Sequence, residues 1–214
     1  MSAQPSAEAP SSPHTVSFMV LPAEVRIQIY SYLLHLPPIS ATAGGPPDDD
    51  AESRVSAGIL RASRLIHAEA APVLYGGNTF VAHPSLLADF PRLRPWYGPV
   101  CAAAVLPRIR RFHLTLRLDC DLPFDRRRAA AAFSGAEELH VRVVRTAFLG
   151  AGKDNLGTLE DVRGVQRLTI AGSTTGFESY VDWLARLMQS PSGTKALPLA
   201  PVGDDTAAQA IAMT

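Results

Sequence analysis

The chain has 214 residues with 47% hydrophobic and 19% charged side chains, and its 20 basic residues balance its 20 acidic residues. This composition predicts a globular core, while the zero net charge argues against a general nucleic-acid binder, which usually carries a basic excess. No stretch contains the roughly 18 uninterrupted apolar residues that a membrane-spanning helix needs. We therefore expect a cytoplasmic or nuclear protein without a membrane or nucleic-acid partner.

Three segments have the composition of poorly ordered chain. Residues 1–16 are rich in Ser, Ala and Pro and lack the basic and apolar regions of a secretory signal. Residues 37–55 combine proline pairs, a Gly-Gly pair and an acidic run, which predicts a flexible loop. Residues 190–214 are mostly small and are interrupted by Pro and Gly, which predicts a disordered tail.

The stretch "VLPAEVRIQIYSYLL" at residues 20–34 predicts the first helix. Pro22 suits the first helical position, and Glu24 lies in the first turn, where an acidic side chain favours the helix dipole. The polar side chains form one narrow stripe, made of Glu24, Gln28, Ser31 and His35. Because the remaining surface is apolar, the helix is either sandwiched within its own domain or shares its second face with a partner.

Arg26 lies opposite this polar stripe, among apolar neighbours. A buried guanidinium needs a carboxylate, unless its stem follows the apolar surface and the charge reaches water. Both arrangements stay open at this stage. Further along the chain, Arg64 and Glu69 are the charged residues that we expect to turn inward, and Glu69 is a candidate partner for Arg26 or Arg64.

Residues 56–82 predict helical structure followed by a strand. Ser56 can cap a helix whose apolar face continues to Ala70, and Pro72 is expected to kink or restart it. A short second helix would then pass through Tyr75 and end at a Gly-Gly pair. Residues 79–81 have the β-branched and aromatic composition of a strand start.

Together, two motifs in this region resemble the fungal F-box-like proteins. The first motif, Leu-Pro-x-Glu-x-Arg followed by Ile-Tyr, falls on Leu21, Pro22, Glu24, Val25, Arg26, Ile29 and Tyr30. The second motif falls on Leu60, Arg64, Ile66, Glu69, Ala70, Leu74, Tyr75, Asn78 and Phe80. The resemblance covers about residues 20 to 82, and the two motifs occur in the order typical of that family.

The resemblance implies an F-box-like module of three helices over residues 17–82, which in true F-box proteins docks on the Skp-type adaptor of a cullin ubiquitin ligase. The positions that match the docking residues are Leu21, Pro22, Val25, Ile29 and Leu33. This chain departs from the family by its long loop between the first two helices and by lacking the tryptophan that often follows the central helix. A stand-alone interaction protein with an F-box-like fold is therefore the alternative.

Beyond the module, three segments share an apolar-x-x-apolar-x-apolar rhythm: residues 107–119, 136–147 and 164–173. Phe112 and Leu139 are 27 positions apart, and Leu139 and Leu168 are 29 apart. This spacing suits a strand plus a return segment and predicts stacked parallel strands in a degenerate leucine-rich-like region over residues 83–189. An ordinary small mixed sheet is the alternative.

Other segments of this region carry weaker patterns. Residues 83–90 predict a short helix with Leu86, Leu87 and Phe90 on one side. Residues 176–190 predict an amphipathic helix, from whose apolar stripe Trp183 is displaced, so that this ring either covers the sheet edge or is an exposed contact. The arginines at 126–128 predict a solvated turn, with a nuclear-import or phosphate-binding patch as the alternative.

Nothing in the sequence has the pattern of a catalytic site. Phosphate-binding, nucleophile-elbow and zinc-protease motifs are absent, and Cys101 and Cys120 lack metal-ligand spacing. We therefore expect an α+β protein that is not an enzyme and needs no cofactor or metal. The function that the resemblance to F-box-like proteins implies is protein–protein interaction, as a substrate-receptor subunit that joins a Skp-type adaptor to an unknown protein substrate.

Overall fold

The computed structural model describes residues 17–39, 54–145 and 153–194 and has a mixed α+β fold. The predicted disordered N-terminus (1–16), most of the predicted loop and residues 195–214 lie outside the described residues. Residues 190–194 of the predicted tail are described, and they form a turn in which the Thr194 amide donates to the Pro191 carbonyl.

Two α-helices and two short 3-10 helices form the region of the predicted module. Helix α1 spans Ala23–Leu34 and α2 spans Arg64–Gly77, while Phe18–Val20 and Ala57–Arg61 are 3-10 helices. Pro22 directly precedes α1 instead of occupying its first turn. The predicted module of three helices therefore contains a five-residue 3-10 helix where an α-helix was expected.

The predicted start of the second helix and its predicted restart after Pro72 are both wrong. Ser63 caps α2 by accepting a hydrogen bond from the Ile66 amide at 3.1 Å, whereas Ser56 makes no capping bond. Pro72 lies inside α2 and does not end it. An interior proline costs a helix about 3 kcal/mol, and burial of Ala70, Ala71 and Leu74 around it offsets that cost.

A five-stranded sheet follows, with the strand order β2-β1-β3-β4-β5. The strands are β1 (Phe80–His83), β2 (Leu87–Arg92), β3 (Arg111–Arg117), β4 (Glu138–Val144) and β5 (Arg167–Gly172). The pair β1–β2 is antiparallel and the other pairs are parallel. Phe112 pairs with Leu139 and Leu139 with Leu168, which confirms the parallel strands and the register predicted from their spacing.

The predicted helix over residues 83–90 is wrong, because this segment forms a turn and most of β2. The His83 ring nitrogen accepts hydrogen bonds from the Ser85 and Leu86 amides, which closes the turn. Leu87 then adopts a φ of 51° and is buried as β2 begins, while Phe90 is exposed. Backbone pairing with β1 thus overrides the helical spacing of the leucines.

Helices α3 (Arg126–Phe133) and α4 (Glu178–Gln189), with a 3-10 helix at Asp154–Leu159, cover the apolar side of the sheet. The arginines predicted as a turn instead begin α3, because Asp125 caps that helix by accepting from the Arg128 amide at 2.8 Å. Helix α4 confirms the predicted amphipathic helix, and Trp183 is half-buried against the core beside Tyr180. No helix among the described residues is both long and apolar enough to cross a bilayer.

Candidate interaction surfaces

An ion pair between Arg26 and Glu69 joins α1 to α2. The guanidinium Nη2 and Nε lie 2.5 and 3.0 Å from the two carboxylate oxygens, and the Tyr30 hydroxyl donates to Glu69 Oε2 at 3.0 Å. This pair confirms Glu69 as the partner of Arg26. Hydrogen bonding from Arg26 holds the pKa of Glu69 below its usual value, so the carboxylate stays ionised.

Asn78 joins the ends of the same two helices and is buried. Its side-chain amide donates to the carbonyls of Leu34 at 2.8 Å and Leu74 at 2.9 Å, and its oxygen accepts from the Leu36 amide at 2.8 Å. These bonds satisfy backbone groups that helix ends leave unpaired. The motif position of Asn78 is therefore explained by the geometry of the two helix ends.

Two further motif residues are structural, and two lie at the surface. Phe80 is buried at the start of β1, with its ring centroid 6.1 Å from that of the half-buried Tyr75. Glu24 is exposed in the first turn of α1. Arg64 is exposed at the start of α2, so the expectation that it turns inward is wrong. It precedes the buried Ile66 by two positions, which places it about 160° around the helix from that residue.

The buried stripe of α1 consists of Arg26, Tyr30 and Leu34. From the sequence we expect Ile27, Tyr30 and Leu34 to pack on residues 59–75. Tyr30 and Leu34 are buried as expected, but Ile27 is 45% exposed. Ile27 lies about 60° to one side of the stripe's centre at 100° per residue. The contacts of the neighbouring α2 do not reach that far around the helix.

The flank of α1 that faces away from Ile27, together with the two residues before the helix, carries the predicted partner-binding residues, and we name it the α1 face. It consists of Leu21, Pro22, Val25, Ile29, Tyr32 and Leu33. Pro22 and Val25 are exposed, whereas Leu21, Ile29 and Leu33 are half-buried, and Leu33 also packs against the core. Tyr32 is 83% exposed and was not among the predicted residues, although it lies seven positions after Val25 and hence on the same side of the helix.

A second surface is the polar side of β3, β4 and β5, which we name the sheet face. It carries Arg111, His113, Thr115 and Arg117 from β3, Glu138, His140, Arg142 and Val144 from β4, and Arg167, Thr169 and Ala171 from β5. These residues alternate with apolar residues that are buried in β3 and β4 and half-buried in β5. Thr115, Arg117, Arg167 and Thr169 are exposed, so water reaches much of this face.

Arg94 is a buried residue that the sequence did not single out. Its guanidinium donates to the backbone carbonyls of Pro37, Thr79 and Leu93 and forms no ion pair within the described part of the chain. Burial lowers its pKa. Three backbone carbonyls replace a carboxylate here and fix the chain after α1 to the start of β1, an arrangement for which the local sequence has no pattern.

His113 lies on the sheet face and is 5% exposed. Burial, together with the positive charges of His140, Arg142 and Arg94, lowers its pKa to about 4. Its Nδ1 has no hydrogen-bond partner among the described residues. The imidazole is therefore neutral at pH 7 and surrounded by cationic groups.

The described residues form neither a thiol–imidazole pair nor a metal site. The Cys101 thiol is exposed and contacts the Pro99 carbonyl at 3.5 Å, and it makes no hydrogen bond to His113. Within residues 17–39, 54–145 and 153–194, no group of three His, Cys, Asp or Glu side chains could hold a metal ion.

No protein-family model, curated protein or solved structure matches this chain. The resemblance to F-box-like proteins therefore rests on the two sequence motifs. The structure adds a physical role for Arg26, Tyr30, Glu69, Asn78 and Phe80, each of which helps to hold α1, α2 and β1 together.

Proposed function

We propose that this protein is a non-catalytic interaction subunit whose α1 face docks the Skp-type adaptor of a cullin ubiquitin ligase. A second protein, the substrate, would bind the leucine-rich-like region that contains the sheet face. The observation that carries the proposal is the α1 face itself, since it presents apolar side chains to water on a helix held by Arg26, Tyr30 and Asn78.

The exposed apolar side chains support a docking role for α1. Val25 is 39% and Tyr32 83% exposed, and Val20, just before the helix, is 75% exposed. Contiguous exposed apolar residues cost solvation free energy and commonly mark protein-binding sites. A helix that presents apolar side chains to water suits a partner that offers a hydrophobic groove.

Rigidity of the helix also supports the proposal. The Arg26–Glu69 ion pair, the Tyr30 hydroxyl bond and the Asn78 amide hold α1 at its centre and at its C-terminal end. A face that is ordered before binding loses less conformational entropy on association than a mobile one. The α1 face can therefore bind a partner without first having to fold.

The test compares co-purification of the Skp-type adaptor with the wild-type chain and with the double variant Val25→Asp/Ile29→Asp. We expect the wild type to retain the adaptor. The amount of adaptor that co-purifies with the double variant should be at least tenfold lower, because two carboxylates would have to be desolvated in the interface. Ile27→Asp is the matched control, since Ile27 is exposed on α1 outside the α1 face.

Each outcome bears on a distinct part of the proposal. A wild-type chain that captures no adaptor would exclude adaptor binding. Retention of the adaptor by a folded double variant, or equal loss with Ile27→Asp, would exclude the α1 face as the docking site. Thermal unfolding of each variant shows whether it is folded.

A stand-alone interaction protein with no ligase association is the second candidate. It is favoured by the 3-10 helix Ala57–Arg61, which occupies the place where the resemblance implies an α-helix. For this candidate, we expect the wild type to retain no adaptor while the Asp substitutions still abolish binding of a different protein through the α1 face.

A further inference from the structure

The sheet face carries more cationic than anionic groups. Its arginines are Arg111, Arg117, Arg142 and Arg167. Glu137 accepts from Arg111 at 2.7 Å and from Arg167 at 3.1 Å, and Asp119 accepts from Arg117 at 3.0 Å. Arg142 makes no ion pair or hydrogen bond with any residue of the described chain, although it lies at the centre of the face.

The buried Arg94 guanidinium adds to the positive charge near this face, whereas His113 is neutral. His140 interacts with Glu138 at 2.5 Å, so that carboxylate is occupied by a partner other than Arg142. Arg94 is buried without a carboxylate, and the neighbouring His113 keeps Nδ1 unpaired. The electrostatic potential beside Arg142 therefore favours the binding of an anion.

The register sets the spacing of the exposed cations. Thr115 pairs with Arg142 and Arg142 with Ala171, while Glu138 pairs with Arg167. Adjacent strands are about 4.8 Å apart and residues rise about 3.3 Å along a strand, so the Cα atoms of Arg167 and Arg117 are roughly 22 Å apart. An extended segment of about seven residues spans that distance.

We propose that the sheet face binds an extended segment of a second protein that is rich in Asp and Glu, with carboxylates pairing to Arg142, Arg117 and Arg167. The inference rests on the proposed function in one respect: the segment belongs to the protein that the chain recruits. Among the described residues, the sheet face carries no Phe, Tyr or Trp side chain on which nucleic-acid bases could stack, which favours a peptide over a nucleic acid.

The test uses the full chain and a fluorescein-labelled heptaglutamate peptide, with heptaglutamine as the uncharged comparison, in fluorescence anisotropy titrations at low and high salt. We expect saturable binding of heptaglutamate only, weakened at high salt because exposed charges are screened. Arg142→Glu should weaken binding about tenfold or more, and Arg142→Gln by less. Arg127→Glu is the control, since Arg127 is exposed on α3, on the other side of the sheet.

The proposal is overturned if heptaglutamate and heptaglutamine bind equally, or if Arg127→Glu weakens binding as much as Arg142→Glu does. It is also overturned if a seven-nucleotide single-stranded RNA binds more tightly than heptaglutamate and loses affinity in Arg142→Glu. Adaptor co-purification is measured separately on the same variants. Loss of peptide binding with the adaptor retained, or the reverse, shows which of the two proposals has failed.

Discussion

At the scale of single residues, Glu69 is the group on which the packing of α1 depends. It accepts hydrogen bonds from both Arg26 and Tyr30, and its removal leaves a largely buried guanidinium without a carboxylate. Removing one partner of a buried pair is more damaging than replacing both partners with apolar residues. The motif arginine and glutamate are thus explained as one unit.

We expect Glu69→Ala to lower the thermal unfolding midpoint by roughly 5 °C or more, as for the loss of a buried ion-pair partner. Glu24→Ala, at an exposed position of α1, should change the midpoint little and is the matched control. Because the pKa of Glu69 is lowered in the folded protein, the pair contributes above the unfolded-state pKa and is lost as pH falls through the folded value. Equal midpoints for the two variants at pH 7 would contradict this role.

At the scale of secondary-structure elements, the end of β5 depends on a glycine. Gly172 has a φ of 113°, and a Cβ added there would lie 2.1 Å from the Val143 carbonyl oxygen of β4. A side chain therefore requires β5 to move away from β4. Since Arg142 lies next to Val143 in β4, a shift of β5 at Gly172 would also disturb the sheet face beside Arg142.

We expect Gly172→Ala to destabilise the fold by roughly 2–4 kcal/mol, from backbone strain plus the steric clash with β4. Gly176→Ala measures the backbone strain without a steric clash, because Gly176 has a φ of 92° and no atom lies within 4 Å of an added Cβ. It should cost only about 1 kcal/mol. Urea unfolding of both variants measures the difference, and equal costs would exclude the clash.

At the scale of the whole molecule, one hydrophobic core extends from Tyr30 in α1 to Met188 in α4. The boundary predicted between the F-box-like module and the leucine-rich-like region, at residues 82 and 83, falls inside β1. This strand follows α2 closely in the chain and pairs with β3. His113 of β3 pairs with Val81 of β1. Because its imidazole is buried, protonation of that ring lowers the stability of the fold.

The lowered pKa of His113 predicts a specific dependence of stability on pH. The unfolded imidazole has a pKa near 6.5 and the folded one about 4, so the unfolded state binds more protons between these values. Stability should fall by about 2–3 kcal/mol as pH decreases from 6.5 to 4. Urea unfolding across this range should show that the free energy of unfolding falls less in His113→Gln than in the wild type. In His67→Gln, where the histidine is exposed, it should fall as much as in the wild type. Equal falls in the two variants would contradict the prediction.

Several elements can be predicted from local patterns, because buried positions show as regularly spaced apolar residues and a charged residue among them shows where a partner is needed. The 27- and 29-residue spacings placed Phe112, Leu139 and Leu168 in register, since apolar alternation marks one side of each strand. Arg26 among apolar residues needed a carboxylate or an exit to water, and the structure pairs it with Glu69. The amphipathic spacing likewise located α4.

The sequence by itself thus determined the apolar character of α1, indicated the parallel strands and offered Glu69 as a candidate partner for Arg26. Only the tertiary structure decided that residues 87–92 form a strand, that Ile27 faces water and that Arg94 is buried against three backbone carbonyls. The physical reason is that these outcomes depend on backbone groups and neighbours distant in the chain. Backbone carbonyls are the same for every residue type, so no side-chain pattern records where they will meet.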